Sequence, residues 1–427
     1  MQEQDQEQNV ITIVLTADNH LGYSIPGQPA RKCDELRQRL RRAFQMATDF
    51  AIGQGVDLFV QAGDLFDTSH PDEQDRSFVA ERLAELKQAG IRAFALGGLH
   101  DTPVEMQMHQ GDALTAALAP QLSYARLGAL HYFPPLAVSQ SGETLSPVLL
   151  DIRGTLVGLC GFSATQHAGP SGDPLAHIRI DGEIERAAIP LLLLSMPLDE
   201  EAVASALSQI SFRAVLAGYA HDFQRFTSGQ TDVIVAGATQ RFDLQDPASE
   251  PGFVFLGIAA DGVRWCRHVA VDSIHLRRLE IPLAQWWSDT DTTDDEEDAA
   301  GATEPTMRLL EELRPLCTED AMVQLRLTGE ISRQRYHQLE LSSIRRYGEA
   351  HTFAFDIDDS ALTFLPGDET QTSRRSAFEE RLSPREELIA LADEWIAAAQ
   401  DEQERKALLA TKEELLAALW TTALHPA

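Results

Sequence analysis

Apolar residues run together over Val10–Leu15, Val56–Gln61 and Ile91–Leu96, each run too short for a helix, which predicts three buried strands. Between them the spacing changes. Leu40, Phe44, Ala47 and Ala51 recur on one face of a helix predicted over Arg37–Gly53, and Phe78–Gln88 predicts a second helix. Strand and amphipathic helix in alternation is the pattern of a layered α/β domain. Further strands are expected at Leu149–Leu159, Leu191–Leu194, Ala214–Ala217, Asp232–Val235 and Phe253–Ile258, with short connections, so the second half is richer in sheet.

The pattern then breaks. Ser288–Thr306 is acidic, rich in Thr and Ala and without period, and is expected to be a solvated insertion or linker. Beyond it Met307–Leu313 predicts a helix, and Met322–Leu327 and Phe353–Ile357 predict strands, together a small α+β domain. Near the end Ser383, Pro384 and Glu386 form a capping box with proline at the first helical position, followed by the apolar stripe Leu388, Leu391, Trp395 and Ala399. Asp401 with Glu404 repeats the start signal ahead of Leu408, Leu415, Leu416 and Leu419. Two amphipathic helices of this kind pack on their own domain or on a partner.

At 427 residues the chain is too long for a single core and predicts two or three domains. The first apolar run is too short for a secretory signal or a membrane span, so a cytoplasmic protein with no membrane partner is expected. Cys33, Cys160, Cys266 and Cys317 are scattered and read as ordinary thiols. The net charge of −31 argues against unaided binding to nucleic acid. The eight acidic residues of Asp289–Glu304 account for only part of it. Contact with nucleic acid would need bound cations, a local basic strip or a partner carrying positive charge.

Candidate chemistry gathers where strands run out. Asp18 and His20 follow the first strand, Gly63, Asp64 and Asp67 the second, Gly98, Leu99, His100 and Asp101 the third, and Tyr219 and His221 the strand at Ala214. Gly237–Phe242 is placed to close the rim. Carboxylates mixed with imidazoles suit Mn, Fe or Zn. His109, His167 and His177 lack any partner spacing and read as plain surface residues.

Asp-x-His at Asp18, Gly-Asp-x-x-Asp at Gly63, the Gly98-Leu-His-Asp segment and Gly218-Tyr-Ala-His occur in the order found in metallophosphoesterases. Asp18-Asn-His-Leu-Gly-Tyr with Gly63-Asp-Leu-Phe-Asp is similar to the SbcD nuclease branch in particular. Gly237-Ala-Thr-Gln-Arg-Phe, Gly252-Phe-Val and Val323-Gln-Leu-Arg-Leu-Thr-Gly extend the likeness over most of the chain. The resemblance implies a four-layer α/β sandwich, two mixed sheets flanked by helices, over 1–272. It further implies a small α+β capping domain over 273–375, with the acidic insertion at about 288–306, and a C-terminal helical docking segment over 376–427.

It also implies that Asp18, His20, Asp64 and His221 hold one metal, Mn2+ or another divalent cation such as Fe2+ or Zn2+, and that His100 acts at the leaving group. Asp67 and Asp101 stand behind these residues, orienting them by hydrogen bonds. A second metal would need ligands at Leu99, Ser195 and Tyr219. Leucine has no donor atom, a serine hydroxyl is a poor neutral ligand, and a phenol with a reference pKa of about 10 is rarely ionised. One ion per chain is therefore expected rather than two. The implied function is a metal-dependent DNA exonuclease/endonuclease subunit of an SbcCD-like complex that processes double-strand ends, attenuated by the missing second site. Its partners would be an SbcC-like coiled-coil ATPase, double-stranded DNA ends reached through that ATPase, and a second copy of the chain. The alternative is an inactive scaffold that docks the ATPase. A small-molecule phosphatase fits less well, because the chain continues into a capping region.

Overall fold

The computed structural model describes residues 10–25, 27–103, 119–135, 144–164, 179–198, 211–244, 246, 249–283 and 303–365. The apolar run at the start becomes strand Ile11–Thr16, whose side chains are covered on both faces, as expected of a central strand in a mostly parallel sheet. In order across the first six-stranded sheet lie Gly262–Ala270, Gly252–Ala259, Ile11–Thr16, Leu58–Ala62, Arg92–Leu96 and His131–Phe133. The last four are mutually parallel, and Gly252–Ala259 runs antiparallel to Ile11–Thr16. A second mixed sheet orders Gln224–Ser228, Thr231–Val235, Ala214–Gly218, Ile189–Ser195, Thr155–Gly161 and Val148–Ile152.

The two sheets face each other. Alternation along each strand divides its side chains between layers. Ile11, Ile13, Leu15, Leu58 and Val60 meet Leu191, Leu193 and Leu216 in the central core. Val14 and Phe59 point the other way, against Leu36, Leu40, Phe44, Ala47 and Ala51 of helix Ala30–Gln54. On the far side Leu192, Leu194, Val215, Val233 and Val235 pack with Phe212 and with Ile184 from the 3-10 turn Gly182–Arg186. This is the expected sandwich of two mixed sheets.

Among the elements that differ from expectation, three are instructive. Leu149–Leu159 is a hairpin rather than one strand: Val148–Ile152 and Thr155–Gly161 pair antiparallel around Arg153 (φ 52°) and Gly154 (φ 81°). Two consecutive positive-φ residues match the twist of the flanking strands, and the Asp151 carboxylate accepts the Gly154 N–H at 2.8 Å. The first helix begins at Ala30 rather than Arg37 and stops where Gly55 turns left-handed (φ 60°). Helix Thr303–Leu313 reaches back into the stretch expected to be linker, so Thr303–Thr306 are helical. The rest of that stretch, the helices expected over 383–419, and His109, His167 and His177 lie outside the described residues.

A three-stranded sheet, His275–Pro282, Ala321–Ile331 and Ala354–Phe364, forms beyond the sandwich, with its first two strands parallel. Both sheets of the sandwich and this smaller sheet belong to one compact unit, Met1–Glu330 with Arg335–Thr363. A second unit, Ile331–Gln334 with Phe364–Ala427, lies almost wholly outside the described residues. No described helix is long and apolar enough to cross a membrane. The four cysteines are free thiols.

Candidate metal centre

Parallel strands deliver their carboxyl ends to one edge of a sheet, where loops carry chemistry. Strands 11–16, 58–62 and 92–96 do this in the first sheet, and 189–195 and 214–218 in the second. The loops leaving them are zipped together by backbone: Asp18 N–H donates to the Gly63 carbonyl at 3.0 Å, Asn19 and His20 N–H to that of Asp64 at 2.8 and 3.0 Å, and Leu21 N–H to that of Leu65 at 3.0 Å. Asn19 fastens the same loop from its side chain, donating to Thr16 Oγ1 and Thr239 Oγ1 and accepting from Gln61. Four residues on these loops, Asp18 (φ 47°), His20 (φ 43°), Asp64 (φ 51°) and Tyr219 (φ 90°), hold positive-φ backbone. Such strain persists where the surroundings over-determine it and concentrates at functional sites.

Asp18, His20 and His221 come together with their potential ligand atoms within 4.8 Å of one another. Asp18 and His20 are 1% and 2% exposed. Asp18 Oδ2 accepts the Tyr219 N–H at 3.0 Å, while Oδ1 is buried without a partner among the described residues. His20 Nδ1 pairs with Asp67 Oδ1 at 3.1 Å, while Nε2 is likewise buried with no partner among the described residues. An unsatisfied buried polar atom costs about 1–3 kcal/mol, and a cation among these three residues would satisfy both. His221 repeats the arrangement, with Nδ1 2.8 Å from Asp246 Oδ1. A carboxylate on Nδ1 keeps the proton there and leaves Nε2 as a lone pair, the usual support for a metal-ligating histidine. The donor set fits a divalent cation of the Mn, Fe or Zn type.

Charge supports the same conclusion. Burial, and then the neighbouring charge of Asp64, raises the Asp18 carboxyl well above its usual range. The same two causes, in the same order, push Asp101 up to about 8. Carboxyl groups crowded in this way are relieved by a cation. Burial alone would lower His221, but the Asp246 hydrogen bond and the charges of Asp18, Asp246 and Asp64 outweigh it and raise the imidazole. Asp246 is the reverse case: burial would raise it, yet hydrogen bonds from His221 and from the N–H groups of Asp243 and Phe242 hold it below the carboxylate range.

Asp64 stands outside that triplet. Its Oδ1 accepts the His100 N–H at 2.8 Å, and its carboxyl lies so close over Gly98 that a Cβ there would come within 2.2 Å of Asp64 Cγ. His100 is half exposed, with Nδ1 3.6 Å from Asp67 Oδ1. Its ring meets that of His20 edge-on at 4.7 Å. Asp67 therefore sits between two imidazoles, and His20, Asp67 and His100 form a second close triplet. Asp101 is fully buried and accepts N–H groups from Gly98 (2.7 Å) and Phe66 (3.1 Å) and from the Gln121 amide, tying the third loop to the second.

Of the positions expected to have lost a second metal, Ser195 ends strand Ile189–Ser195 opposite Gly218, 2% exposed, with an unpartnered Oγ pressed against Gly63. Tyr219 (φ 90°) is 37% exposed and contributes its backbone N–H to Asp18. Leu99 is partly buried beside His100.

Two residues of the site were missed by sequence reasoning in these roles. Asp246 lies in irregular chain 25 residues after His221, with no periodic signal to mark it. Phe242 was expected only to close a rim, yet its ring packs at 4.7 Å against both His20 and His221.

The family model for calcineurin-like phosphoesterases matches residues 11–156. The DNA double-strand break repair protein Mre11 of Methanosarcina mazei is 36% identical over 97 residues, 23% of this chain and 15% of that protein's length. Mre11 of Halobacterium salinarum is 26% identical over 326 residues, 74% of this chain and 70% of its own. A dimetal phosphatase structure from Danio rerio superposes only loosely, with a TM-score of 0.36 and 13% identity over 61% of this chain and 99% of that one. Residues 11–156 thus match the calcineurin-like phosphoesterase family, and Mre11 DNA double-strand break repair proteins are similar to this chain over part or most of its length.

Proposed function

We propose that this chain is an SbcD-like, metal-dependent nuclease subunit that cleaves phosphodiester bonds at DNA double-strand ends with a reduced, single-cation centre. One observation carries the reading: Asp18, His20 and His221 converge with two buried donor atoms, Asp18 Oδ1 and His20 Nε2, that no group among the described residues satisfies. A divalent cation held there, Mn2+ being the favoured ion, supplies Lewis-acid polarisation of a phosphate oxygen and an acidified water. Asp64 completes the ligand set. His100, exposed at the edge of the site and steered by Asp67, gives a proton to the leaving oxygen. Asp101 holds the loop that carries His100.

Activity is attenuated, because Leu99, Ser195 and Tyr219 do not build the second half of a two-cation clamp on attacking and leaving oxygens. The net charge of −31 makes DNA engagement by the isolated chain weak and dependent on bound cations, and the complex strengthens it. The partner is an SbcC-like coiled-coil ATPase docked by the C-terminal segment 376–427, after the catalytic region 1–272 and the capping region 273–375, in a cytoplasmic assembly with two copies of this chain. Digestion of linear duplex DNA in Mn2+ by the wild type and Asp64→Ala tests the catalytic part. Metal-dependent cleavage lost in the variant is expected, and cleavage unchanged in it refutes the assignment. Truncation after Arg375 should abolish ATPase pull-down, and retained association removes the docking role.

A second reading, an inactive scaffold, draws on one observation. Ser195 is packed against Gly63 where a second-metal histidine would be needed. No cleavage in either protein would favour it.

A further inference from the structure

We propose that Asp246 is a positioning residue for the metal centre, setting the His221 ring, and that the three-stranded sheet holds it in place through Arg278. The inference rests on reading Asp18, His20 and His221 as the cation's ligands.

The Asp246 carboxylate is 5% exposed, and both its oxygens are used. Oδ1 takes His221 Nδ1 at 2.8 Å, and Oδ2 takes the N–H groups of Phe242 and Asp243, both at 2.9 Å. A single buried group thus closes the turn after Phe242 and fixes the ring plane of His221. The same turn presents the Phe242 ring, which packs on His20 and His221 together. At its start the loop is pressed onto the histidine's own segment. Gly237 (φ 78°) leaves no room for a Cβ beside Phe223 N, and Ala238 N–H donates to the His221 carbonyl at 3.0 Å.

From the other side the loop is fastened to chain leading into, and belonging to, the three-stranded sheet. Arg278, on strand His275–Pro282, donates from Nη2 to the carbonyls of Leu244 (2.9 Å) and Asp246 (2.7 Å), and its Nε reaches Gln324 Oε1 on the adjacent strand at 3.3 Å. Gln240 adds a second fastening just before that sheet. Its Oε1 accepts the Ile274 N–H at 3.0 Å and its amide donates to the Asp272 carbonyl at 3.2 Å. A displacement of strand 275–282 is therefore carried through Arg278 to the Asp246 backbone, and through the Asp246 carboxylate to His221. The smaller sheet is mechanically coupled to cation affinity without touching the cation.

The test is a titration of the full chain with Mn2+, reading free ion by its room-temperature electron paramagnetic resonance signal, together with unfolding in chelator. His221→Ala should abolish tight binding. Asp246→Ala should weaken it roughly 10- to 100-fold, the usual effect of removing a ligand's supporting hydrogen bond. Asp246→Asn should recover part of the loss, since an amide oxygen still accepts from Nδ1. Arg278→Ala should weaken binding about five-fold, the size of one hydrogen bond's net free energy, and Arg278→Lys should restore it. A purely structural role would instead lower the melting temperature in chelator and leave affinity unchanged. If Asp246→Ala does not fold, Asp246→Asn and Arg278→Ala decide. Wild-type affinity in the Asp246 and Arg278 variants, with binding lost in His221→Ala, overturns the coupling. Wild-type affinity in His221→Ala overturns the underlying ligand reading instead.

Discussion

Gly63 leads directly into Asp64 on a left-handed turn packed against Ser195, and replacing it with alanine probes that packing. At φ 101° the backbone is in territory that L side chains rarely adopt, which costs about 1–2 kcal/mol once a Cβ is added. That Cβ would also stand 2.0 Å from Ser195 Oγ and 2.6 Å from Ser195 Cβ. Both belong to buried strand ends that cannot separate freely, and overpacking of this kind costs about 1–3 kcal/mol. Gly63→Ala should therefore destabilise the protein by about 2–5 kcal/mol. It should also weaken Mn2+ binding, because Asp64 follows directly with its own left-handed backbone (φ 51°). Ser195→Gly relieves only the overlap, so in a double-mutant cycle it should recover about 1–3 kcal/mol of the loss. The assay is urea unfolding in chelator for all four members of the cycle. A Gly63→Ala protein within about 0.5 kcal/mol of wild type, the range of ordinary surface substitutions, would mean that neither the left-handed backbone nor Ser195 constrains this position.

Other outcomes follow from the same structure. Mn2+ at a hundred times its dissociation constant should stabilise the wild type by about 2.7 kcal/mol, and Asp18→Asn should abolish that shift in a thermal melt. Phe59→Ala removes a ring 1% exposed between the first helix and its sheet and should cost about 3–5 kcal/mol by urea unfolding. In metal-free protein Asp101, reference value 3.8, keeps its proton up to about pH 8 because it is buried beside Asp64. Across that window the native state holds a proton that the unfolded chain has released, so stability falls as pH rises. The decline should be shallower in Asp101→Asn, as read by melting temperature from pH 5 to 8.

Much of the site was legible because its residues sit at the ends of strands that announce themselves as apolar runs. Asp18, His20, Asp64 and His221 all follow buried strands, and the glycine at 63 marks the turn. The α/β sandwich was legible for the same reason, since Val14 and Phe59 alternate with Ile13 and Val60 between two cores. What escaped was information carried by shape rather than by period. Leu149–Leu159 reads as one apolar run, and only the left-handed pair Arg153 and Gly154 shows it to be two strands. Strand Gly262–Ala270 is an edge strand exposed at Arg264, Trp265 and Arg267, so its sequence lacks a buried pattern. Asp246 gains its meaning only when irregular chain folds back on His221.

The proposed function requires a working phosphodiesterase centre at Asp18, His20 and His221. Digestion of end-labelled linear duplex DNA by the purified full chain across a Mn2+ series, wild type beside Asp18→Ala, tests it most directly. Slow cleavage that requires Mn2+ and is lost in the variant is expected. Cleavage undiminished in Asp18→Ala, or no cleavage by the wild type at any Mn2+ concentration, would contradict it.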